Sequence, residues 1–240
     1  MVKIRIKKAK TKVKDQDKVK HKRIIQSITG AVEKRVLLWL AARMPRWVNP
    51  DVLSLIGVFG ALMTGASYLL AKQHPFFLWI AALGFVINWF GDSLDGTLAR
   101  YRKIERPRYG YFLVHSVDVI CITIVLTGLA FSGYGRLELA WGVNLIYLLL
   151  ALYTSLANFT SREFQISFAY IGPTELRIFA IVASIWVYFN PAKLIVLSFI
   201  QMNFYEIILA LLIVVFTPIY LYMTTNQILR LAKDEPPPAY

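Results

Sequence analysis

The sequence predicts an all-α membrane protein in which six transmembrane helices follow an amphipathic helix that lies in the membrane interface. Two observations predict this fold class. The 240-residue chain is 57% hydrophobic and 14% aromatic, which is more than a soluble domain of this length needs for its core. Its apolar residues also fall into runs close to the roughly 20 residues that cross a bilayer. We therefore expect an integral, multi-pass membrane protein.

The basic residues are concentrated near the N-terminus. Fifteen of the 27 Lys and Arg residues precede Trp47, against three of the 14 Asp and Glu residues. Residues 1–33 alternate lysine with small or polar residues and offer no wide apolar face, so we expect a disordered cytoplasmic arm that binds anionic membrane lipid. We expect no binding of nucleic acid, because no aromatic residue is interleaved with these lysines.

The segment after the arm has the pattern of an amphipathic helix. Within residues 34–47, an apolar helix face is formed by Val36, Leu37, Leu40 and Ala41. Arginines on the other faces and tryptophans near the boundary are typical of a helix that lies in the interface. The predicted organisation is then the arm, this helix, a membrane domain over residues 48–230 and a cytoplasmic tail over residues 231–240.

Six apolar runs predict the membrane spans. They are Val52–Ala71, Pro75–Leu98, Gly110–Ser132, Leu139–Asn158, Thr174–Phe189 and Tyr205–Met223. The fifth run is short, and residues 192–203 after it could extend it or form a partly inserted turn. Lysine and arginine are concentrated before the first span and in residues 100–108. The positive-inside rule therefore places both termini in the cytoplasm.

Acidic residues at the end of the second predicted span are the main functional signal. Asp92 and Asp95 are three residues apart and share a helix face, and Gly96 leaves that face open. Asp118 lies about two turns into the third span, on the same side of the membrane. Charged groups at mid-bilayer cost roughly 2.5–3.5 kcal/mol each on insertion scales, so three together need a compensating partner. A hard divalent cation, held by carboxylates that leave room for a phosphate oxygen, fits this requirement.

Two alternative roles of the aspartates stay open at this point. The carboxylates could cap the helix end or pair with Arg100, Arg102 or Lys103. They could also belong to an ion pathway, but such a pathway would place polar residues at mid-membrane in several helices. The acidic residues here gather at one side of the membrane. This distribution favours a phosphoryl-transfer site.

The spacing of these residues resembles the motif of the CDP-alcohol phosphotransferase family, D-x-x-D-G-x-x-A-R, then eight or nine residues, then G-x-x-x-D-x-x-x-D. The matching positions are Asp92, Asp95, Gly96, Ala99, Arg100, Gly110 and Asp118. Residues 49–58 and 172–178 also resemble segments of this family. The resemblance extends from residue 48 to about residue 230. It implies a membrane-embedded transferase, which in this family is often a homodimer.

The resemblance implies roles for the matching residues. Asp92, Asp95 and Asp118 would hold Mg²⁺ or Mn²⁺, and Asp118 would also be the catalytic base on an acceptor hydroxyl. The nucleotide would be bound by Asp92, Gly96, Ala99, Arg100 and Gly110. The expected donor is a CDP-linked lipid, with CDP-diacylglycerol first, and an alcohol would take up its substituted phosphate group with release of CMP. The implied process is phospholipid biosynthesis.

Three arginines are candidates for binding a phosphate of the donor or the acceptor. They are Arg177, Arg162 and Arg108. Arg177 follows a Gly-Pro break and falls in the first turn of the fifth predicted span, on the same side as the aspartates. Arg177 could equally pair with Glu175 or reach the lipid headgroups.

One motif position departs from the family. The third motif aspartate falls on Val114, and valine cannot ligate a metal. His115 follows it, but this residue points about 100° away around the helix, and imidazole is a poor Mg²⁺ ligand. Two functions are therefore carried forward. One is an active transferase, and the other is a degenerate family member that binds CDP-lipid or nucleotide without efficient turnover.

Overall fold

The structure is a computed structural model that describes residues 22–24, 29–161, 163–165, 172–190, 195–197 and 200–236. Within these residues it contains seven helices: α1 (Gly30–Arg43), α2 (Pro50–Ala71), α3 (Phe77–Arg102), α4 (Pro107–Phe131), α5 (Leu137–Ser161), α6 (Pro173–Phe189) and α7 (Phe204–Asp234). The same residues include four short strands: β1 (Lys22–Ile24), β2 (Glu163–Gln165), β3 (Ile195–Leu197) and β4 (Ile200–Met202). β1 pairs with β2 in parallel, and β3 pairs with β4 in antiparallel fashion.

Five of the helices in the described residues are long and apolar enough to cross a membrane: α2, α3, α4, α5 and α7. The predominantly helical membrane protein expected from the sequence is therefore confirmed. α6 has 17 residues, fewer than the roughly 20 that a span requires, so the sixth span stays a prediction. One of the two alternatives for residues 192–203 is a helical extension of the fifth span. This alternative is wrong for the residues of β3 and β4, which form paired strands after α6.

α1 packs one face against α3 and the turn before α2. Leu37 and Ala41 are buried and belong to one apolar cluster with Leu94 and Leu98 of α3. Both come from the predicted apolar face, but the helix begins at Gly30 and ends at Arg43, four residues earlier at each end than predicted. Val36, which the sequence predicts on the same apolar face, is instead exposed, as are Val32 and Trp39. The position of α1 in a membrane interface stays a prediction.

Most of the predicted basic arm lies outside the described residues. Of residues 1–33, the structure describes Lys22–Ile24 and residues 29–33. The first of these segments is β1, which pairs with β2 so that Lys22 is opposite Glu163. Residues 30–33 belong to α1, and Thr29 is its N-cap residue. The disorder and the lipid binding expected of the rest of the arm remain predictions.

Glycines allow α2 and α3 to approach each other closely. A Cβ on Gly91 would overlap backbone atoms of Gly57 and Leu53, and a Cβ on Gly60 would lie 2.7 Å from the carbonyl oxygen of Gly84. A larger side chain at these positions would push the helices apart, since the interior is close-packed. The close approach brings polar groups of the two helices within hydrogen-bonding distance.

The larger core fills the space between α2 and the later helices, and a shared hydroxyl lies within it. The Tyr68 hydroxyl lies 3.1 Å from Ser184 Oγ, and the Tyr205 hydroxyl donates to the same oxygen at 2.8 Å. Ser184 donates to the carbonyl oxygen of Ala180 at 2.8 Å. Because buried hydroxyls need partners, this network fixes α6 against α2 and α7.

Candidate functional site

The aspartate motif occupies the last three turns of α3, whose end is tied to the turn between α1 and α2. The helix closes at Lys103, which has a left-handed φ of 58°. The Arg102 guanidinium donates to the carbonyl oxygens of Met44 and Pro45, both at 2.9 Å, and of Val48, at 2.5 Å. Arg102 was one possible partner of the aspartates, and it instead holds the end of α3 in place.

A small pocket lies where α2, α3 and α4 meet. It is lined by Ser54 and Gly57 of α2, by Asn88, Asp92 and Asp95 of α3, and by Val114, Val117, Asp118 and Cys121 of α4. The structure therefore brings together the three aspartates that the sequence singles out. Their proposed roles as ligands and base remain predictions.

Asp95 is the most enclosed carboxylate of the motif, with 6% of its surface exposed. Its Oδ2 accepts a 2.6 Å hydrogen bond from the Ser54 hydroxyl on α2. Its Oδ1 accepts from the backbone N–H of Gly96. A buried carboxylate needs such donors to offset the loss of hydration. The contact with Ser54 also depends on the close approach of α2 and α3.

Asp92 forms an ion pair with an arginine of α6. Arg177 Nη2 lies 2.6 Å from Asp92 Oδ2, and Arg177 Nε donates to Asn88 Oδ1 at 2.8 Å. Asn88 donates in turn to the carbonyl oxygen of Gly57 at 2.9 Å. The side chains of Arg177 and Asp92 are 15% and 22% exposed. The ion pair is thus largely shielded from solvent. Asp92 also lines the pocket, so the pair lies at the pocket's edge.

Glu175 is engaged at the start of α6, so the structure gives it partners other than Arg177. Its Oε2 accepts from the backbone N–H of Gly172 at 2.9 Å. Its Oε1 accepts from the backbone N–H and the hydroxyl of Thr29, at 3.0 and 2.6 Å. Gly172 is the N-cap residue and Pro173 the first helical residue, so the start of α6 is well capped. This capped start holds Arg177 in its orientation toward α3.

Val114 and Asp118 line the pocket from α4, one helical turn apart. Val114, which falls on the third aspartate of the motif that the sequence resembles, therefore faces the same pocket as Asp92, Asp95 and Asp118. His115 is not among the pocket-lining residues. Its ring stacks on Tyr111 with the ring centroids 4.1 Å apart, and its Nδ1 lies 2.9 Å from the Tyr111 carbonyl oxygen. The side chain that borders the pocket at this turn is thus an apolar one.

The other motif positions lie beside the pocket rather than in its lining. Arg100 is exposed, and its Nη2 donates to Thr97 Oγ1 at 3.2 Å. A Cβ on Gly96 would lie 3.2 Å from Arg100 Nη1, and a Cβ on Gly110 would meet no atom within 4 Å. Ala99 is half-buried. The surface next to these small residues is therefore open to a ligand.

The three arginines predicted to bind phosphate differ in what the structure shows of them. Arg177 contacts Asp92 directly. Arg108 is exposed in the first turn of α4 and does not line the pocket. Arg162 lies outside the described residues. Of the two that the structure describes, Arg177 has the position from which a phosphate at the aspartates could be bound.

The donor chemistry of the pocket fits a hard divalent cation. Carboxylate, hydroxyl and carboxamide oxygens line it, and Mg²⁺ and Mn²⁺ prefer oxygen ligands. Within the residues that the structure describes, no three His, Cys, Asp or Glu side chains are grouped so that they could hold one metal ion. Metal binding would therefore draw the aspartates together.

The fold and the pocket define a helical membrane protein with a carboxylate site at the end of α3, and comparison with known proteins gives its family. The family model described as CDP-alcohol phosphatidyltransferase matches residues 47–223, which include every pocket-lining residue. The chain belongs to this family, and the resemblance noted in the motif is confirmed. This family is known to use a divalent metal ion.

One curated relative gives a more specific similarity. The chain is 26% identical over 152 residues to cholinephosphotransferase 1 of Gallus gallus. The match covers 58% of this chain and 43% of the relative. The chain thus spans less than half of the length of the curated relative that it matches.

The sequence does not single out Ser54 and Asn88, although both contact motif residues or their partner. Asn88 lies four residues before Asp92 in an apolar stretch, and this helical spacing is a usable signal. Ser54 carries a weaker signal, because an isolated serine in an apolar helix commonly bonds to its own backbone. Its partner, Asp95, is 41 positions away, so only the packing of α2 on α3 reveals the contact.

Proposed function

We propose that this chain is a membrane-embedded transferase that moves a substituted phosphate group from a CDP-linked donor to an alcohol, with release of CMP. The observation that carries this proposal is the pocket, where three aspartates from α3 and α4 meet beside the guanidinium of Arg177. Concentrated charge is costly within a membrane protein, and it commonly marks a functional site. A divalent cation would balance the negative charge of the carboxylates, and an anionic diphosphate would balance the positive charge of the guanidinium.

Asp92, Asp95 and Asp118 are the proposed ligands of Mg²⁺ or Mn²⁺. When bound, the ion supplies positive charge to the diphosphate of the donor and stabilises CMP as it leaves. The open face of α3 supports this assignment, since an approaching phosphate needs space beside the carboxylates. Arg177 then exchanges its bond to Asp92 for a bond to a phosphate oxygen of the donor or acceptor.

The proposed nucleotide site lies beside the carboxylates on the surface of small residues. It comprises Asp92 together with Gly96, Ala99, Arg100 and Gly110. Gly96 and Gly110 support this role, because a Cβ on the first would meet only the flexible Arg100 side chain and one on the second would meet open space. A flat ligand can therefore approach the helix backbone here.

Asp118 is the proposed general base. It removes the proton of the acceptor hydroxyl, and the hydroxyl oxygen attacks the β-phosphorus of the donor. The bond between this phosphorus and the oxygen shared with CMP breaks, and CMP leaves with the electron pair. The substituted phosphate is then esterified to the acceptor, so no covalent intermediate with the protein is required. The position of Asp118 in the pocket lining, across the helix contact from Asp92 and Asp95, supports this role.

The proposed donor is CDP-diacylglycerol, because its lipid half can stay in the bilayer while its headgroup reaches the aspartates. In that case the acceptor is a small alcohol. The similarity to a cholinephosphotransferase supports a second assignment, in which a CDP-linked alcohol such as CDP-choline is the donor and a lipid alcohol is the acceptor. Both assignments use the same bond changes and release the same nucleotide.

A second candidate function follows from Val114. A pocket that lacks one family carboxylate would bind CDP-lipid or nucleotide with a weakened metal site and would turn over inefficiently. The three retained aspartates and the arginine pair favour the active transferase. The observation for the alternative is the single apolar side chain at position 114.

We also propose the orientation and the partners of the chain. The excess of basic residues before α2 and in the loop between α3 and α4 supports cytoplasmic termini and contact of the arm with anionic lipid. The homodimer is proposed only from the motif resemblance described above. The proposed partners are accordingly membrane lipids, a CDP-linked donor, an alcohol and a second copy of the chain.

The test is CMP release by the purified protein in lipid nanodiscs. One arm supplies CDP-diacylglycerol with a panel of small alcohols, and the other supplies CDP-choline with diacylglycerol. Release that requires Mg²⁺ or Mn²⁺, and that is lost in Asp118→Asn, is the expected result. Nucleotide binding without CMP release in either arm would favour the degenerate family member. Absence of both would overturn the proposal.

A further inference from the structure

α1 meets α3 and α6 at one carboxylate oxygen. Glu33 Oε1 accepts from Thr174 Oγ1 of α6 at 2.7 Å, from Trp89 Nε1 of α3 at 2.9 Å, and from Ser93 Oγ of α3 at 3.2 Å. A charged acceptor with several donors makes stronger hydrogen bonds than a neutral one. Glu33 is therefore a bridge between three helices rather than a solvated surface charge.

This bridge lies beside the contacts of Arg177. The two α3 residues that donate to Glu33 come directly after Asn88 and Asp92, which are the two residues that Arg177 contacts. On α6, Thr174 lies three residues before Arg177 and therefore on a neighbouring part of the same face. Glu33 and Arg177 thus connect the same two helices over the same two turns of α3.

A second contact joins α1 to α6. Thr29, at the start of α1, donates through its backbone N–H and its hydroxyl to Glu175. The first turn of α6 is thus held by α1 at two points, Glu175 and Thr174. α1 is held independently by its buried face, because Leu37 and Ala41 pack in the cluster with Leu94 and Leu98 of α3.

We propose that Glu33 is a positioning residue that sets the first turn of α6 against α3, so that the Arg177 guanidinium stays on Asp92 and Asn88. The effect on transfer rests on the function proposed above, in which Arg177 binds a phosphate. The effect on Arg177 itself does not depend on that function. Glu33 contacts no reacting group, so it acts through Thr174 and α6.

The variants for the test separate the hydrogen bonds from the packing. Glu33→Ala removes the acceptor but leaves the apolar face of α1, Leu37 and Ala41, in place. Glu33→Gln keeps an acceptor oxygen on a side chain of the same shape and removes only the charge, so it is the conservative rescue. Thr174→Val keeps the shape of the side chain but removes the hydroxyl on α6.

The first measurement is the reactivity of arginines with phenylglyoxal, mapped by mass spectrometry of peptides. Arg136 is the internal reference, because it pairs with Glu206 and lies outside this network. We expect modification of Arg177 to be several-fold faster in Glu33→Ala and in Thr174→Val, with Arg136 unchanged, and close to wild type in Glu33→Gln. Unchanged reactivity of Arg177 would overturn the proposal. Equal acceleration at Arg136 would overturn it too, since that result means general loosening of the fold.

The second measurement is a double-mutant cycle on CMP release. Glu33→Ala should raise the KM for the CDP donor several-fold in the wild-type background and have little further effect in the Arg177→Gln background, because one residue acts through the other. Additive losses would contradict a positioning role. If the wild-type protein releases no CMP with either donor, the proposed function has failed, and the reactivity of Arg177 still decides the role of Glu33.

Discussion

Arg177 of α6 and Asp92 of α3 form a shielded ion pair, with Nη2 and Oδ2 2.6 Å apart. The same guanidinium holds the Asn88 carboxamide through Nε. This double contact uses two adjacent N–H groups of a planar, rigid guanidinium, which a lysine ammonium cannot reproduce. The relationship makes α6 part of the site, although Arg177 is 85 positions away from Asp92 in the sequence.

The first prediction concerns this pair. Arg177→Lys keeps the charge but cannot contact Asp92 and Asn88 together. We expect donor affinity to fall roughly 10- to 100-fold, because a hydrogen bond to a charged group contributes about 1.5–3 kcal/mol. The measurement is the KM for the CDP donor or the Kd for CDP. Arg136→Lys, which alters an arginine pair outside the site, is the matched control and should behave like wild type.

The second prediction concerns metal-dependent nucleotide binding. CDP or CMP should bind in the presence of Mg²⁺ or Mn²⁺, and binding should disappear in Asp92→Asn and Asp95→Asn, since the carboxylates supply the charge that holds the ion. Calorimetry with and without EDTA measures this dependence. Asp51→Asn, which removes an exposed carboxylate paired with Arg106, should leave affinity unchanged. Equal affinity in EDTA would show that no metal mediates binding.

The third prediction concerns the departure from the family motif. Val114→Asp places a carboxylate one turn before Asp118, on the wall of the same pocket. We expect tighter metal binding and faster CMP release. We also expect a loss of about 1–3 kcal/mol in the free energy of unfolding, because a polar group replaces a packed apolar one.

Metal titration, CMP release and thermal unfolding of Val114→Asp and wild type give the three comparisons. Val114→Asn is the matched control, because it has a similar shape but no charge. If wild type turns over well and Val114→Asp is slower, the chain has a working ligand arrangement that does not need a fourth carboxylate.

The fourth prediction concerns orientation in the membrane. Single cysteines at Lys103→Cys and Arg162→Cys should react with an impermeant thiol reagent from the cytoplasmic side, and Arg136→Cys from the opposite side. The chain has one cysteine, so Cys121→Ala provides the background. The measurement is thiol labelling of intact cells and of inverted vesicles. Labelling of Lys103→Cys in intact cells would reverse the predicted orientation.

The fifth prediction concerns the contact between α2 and α3. Gly91→Ala should lower the free energy of unfolding by about 1–3 kcal/mol, as overpacking does, because its Cβ would overlap Gly57 and Leu53. Activity should fall as well, since the Ser54 and Asp95 side chains would separate. Thermal unfolding in detergent measures the first effect. Gly142→Ala is the control, because its Cβ would meet the flexible end of Ile213.

The sequence predicts those parts of the site whose residues lie close together in the chain. Asp92 and Asp95 share a helix face at a fixed spacing, and the charge of Asp118 is conspicuous in an apolar run. The partners of these residues come from packing over long separations. The contact of Ser54 with Asp95 depends on the close approach of α2 to α3, which has no local signal. The Gly-Pro break marks Arg177 as a candidate, but its pairing with Asp92 is visible only in the packed structure.

The fold likewise divides into elements that have a local sequence pattern and elements that do not. Long apolar runs predict α2, α3, α4, α5 and α7, because a bilayer requires their length. The short strands could not be predicted, since three residues carry too little periodicity. The apolar pattern predicts a later start for α1 than the structure has, because the first turn is held by contacts of Thr29 and Glu33 with α6 rather than by apolar residues.

The glycine contact between α2 and α3 has a consequence for how the protein assembles in the bilayer. These helices are neighbours in the chain, and their contact supplies Asp95 with the Ser54 hydroxyl and Asn88 with the Gly57 carbonyl oxygen. The two helices can therefore insert as a hairpin whose polar groups are already partly satisfied, which lowers the cost of entering hydrocarbon. Asp92 acquires Arg177 only when α6 arrives from later in the chain. We expect the hairpin to form first during synthesis and the charge pair to mark completion of the bundle.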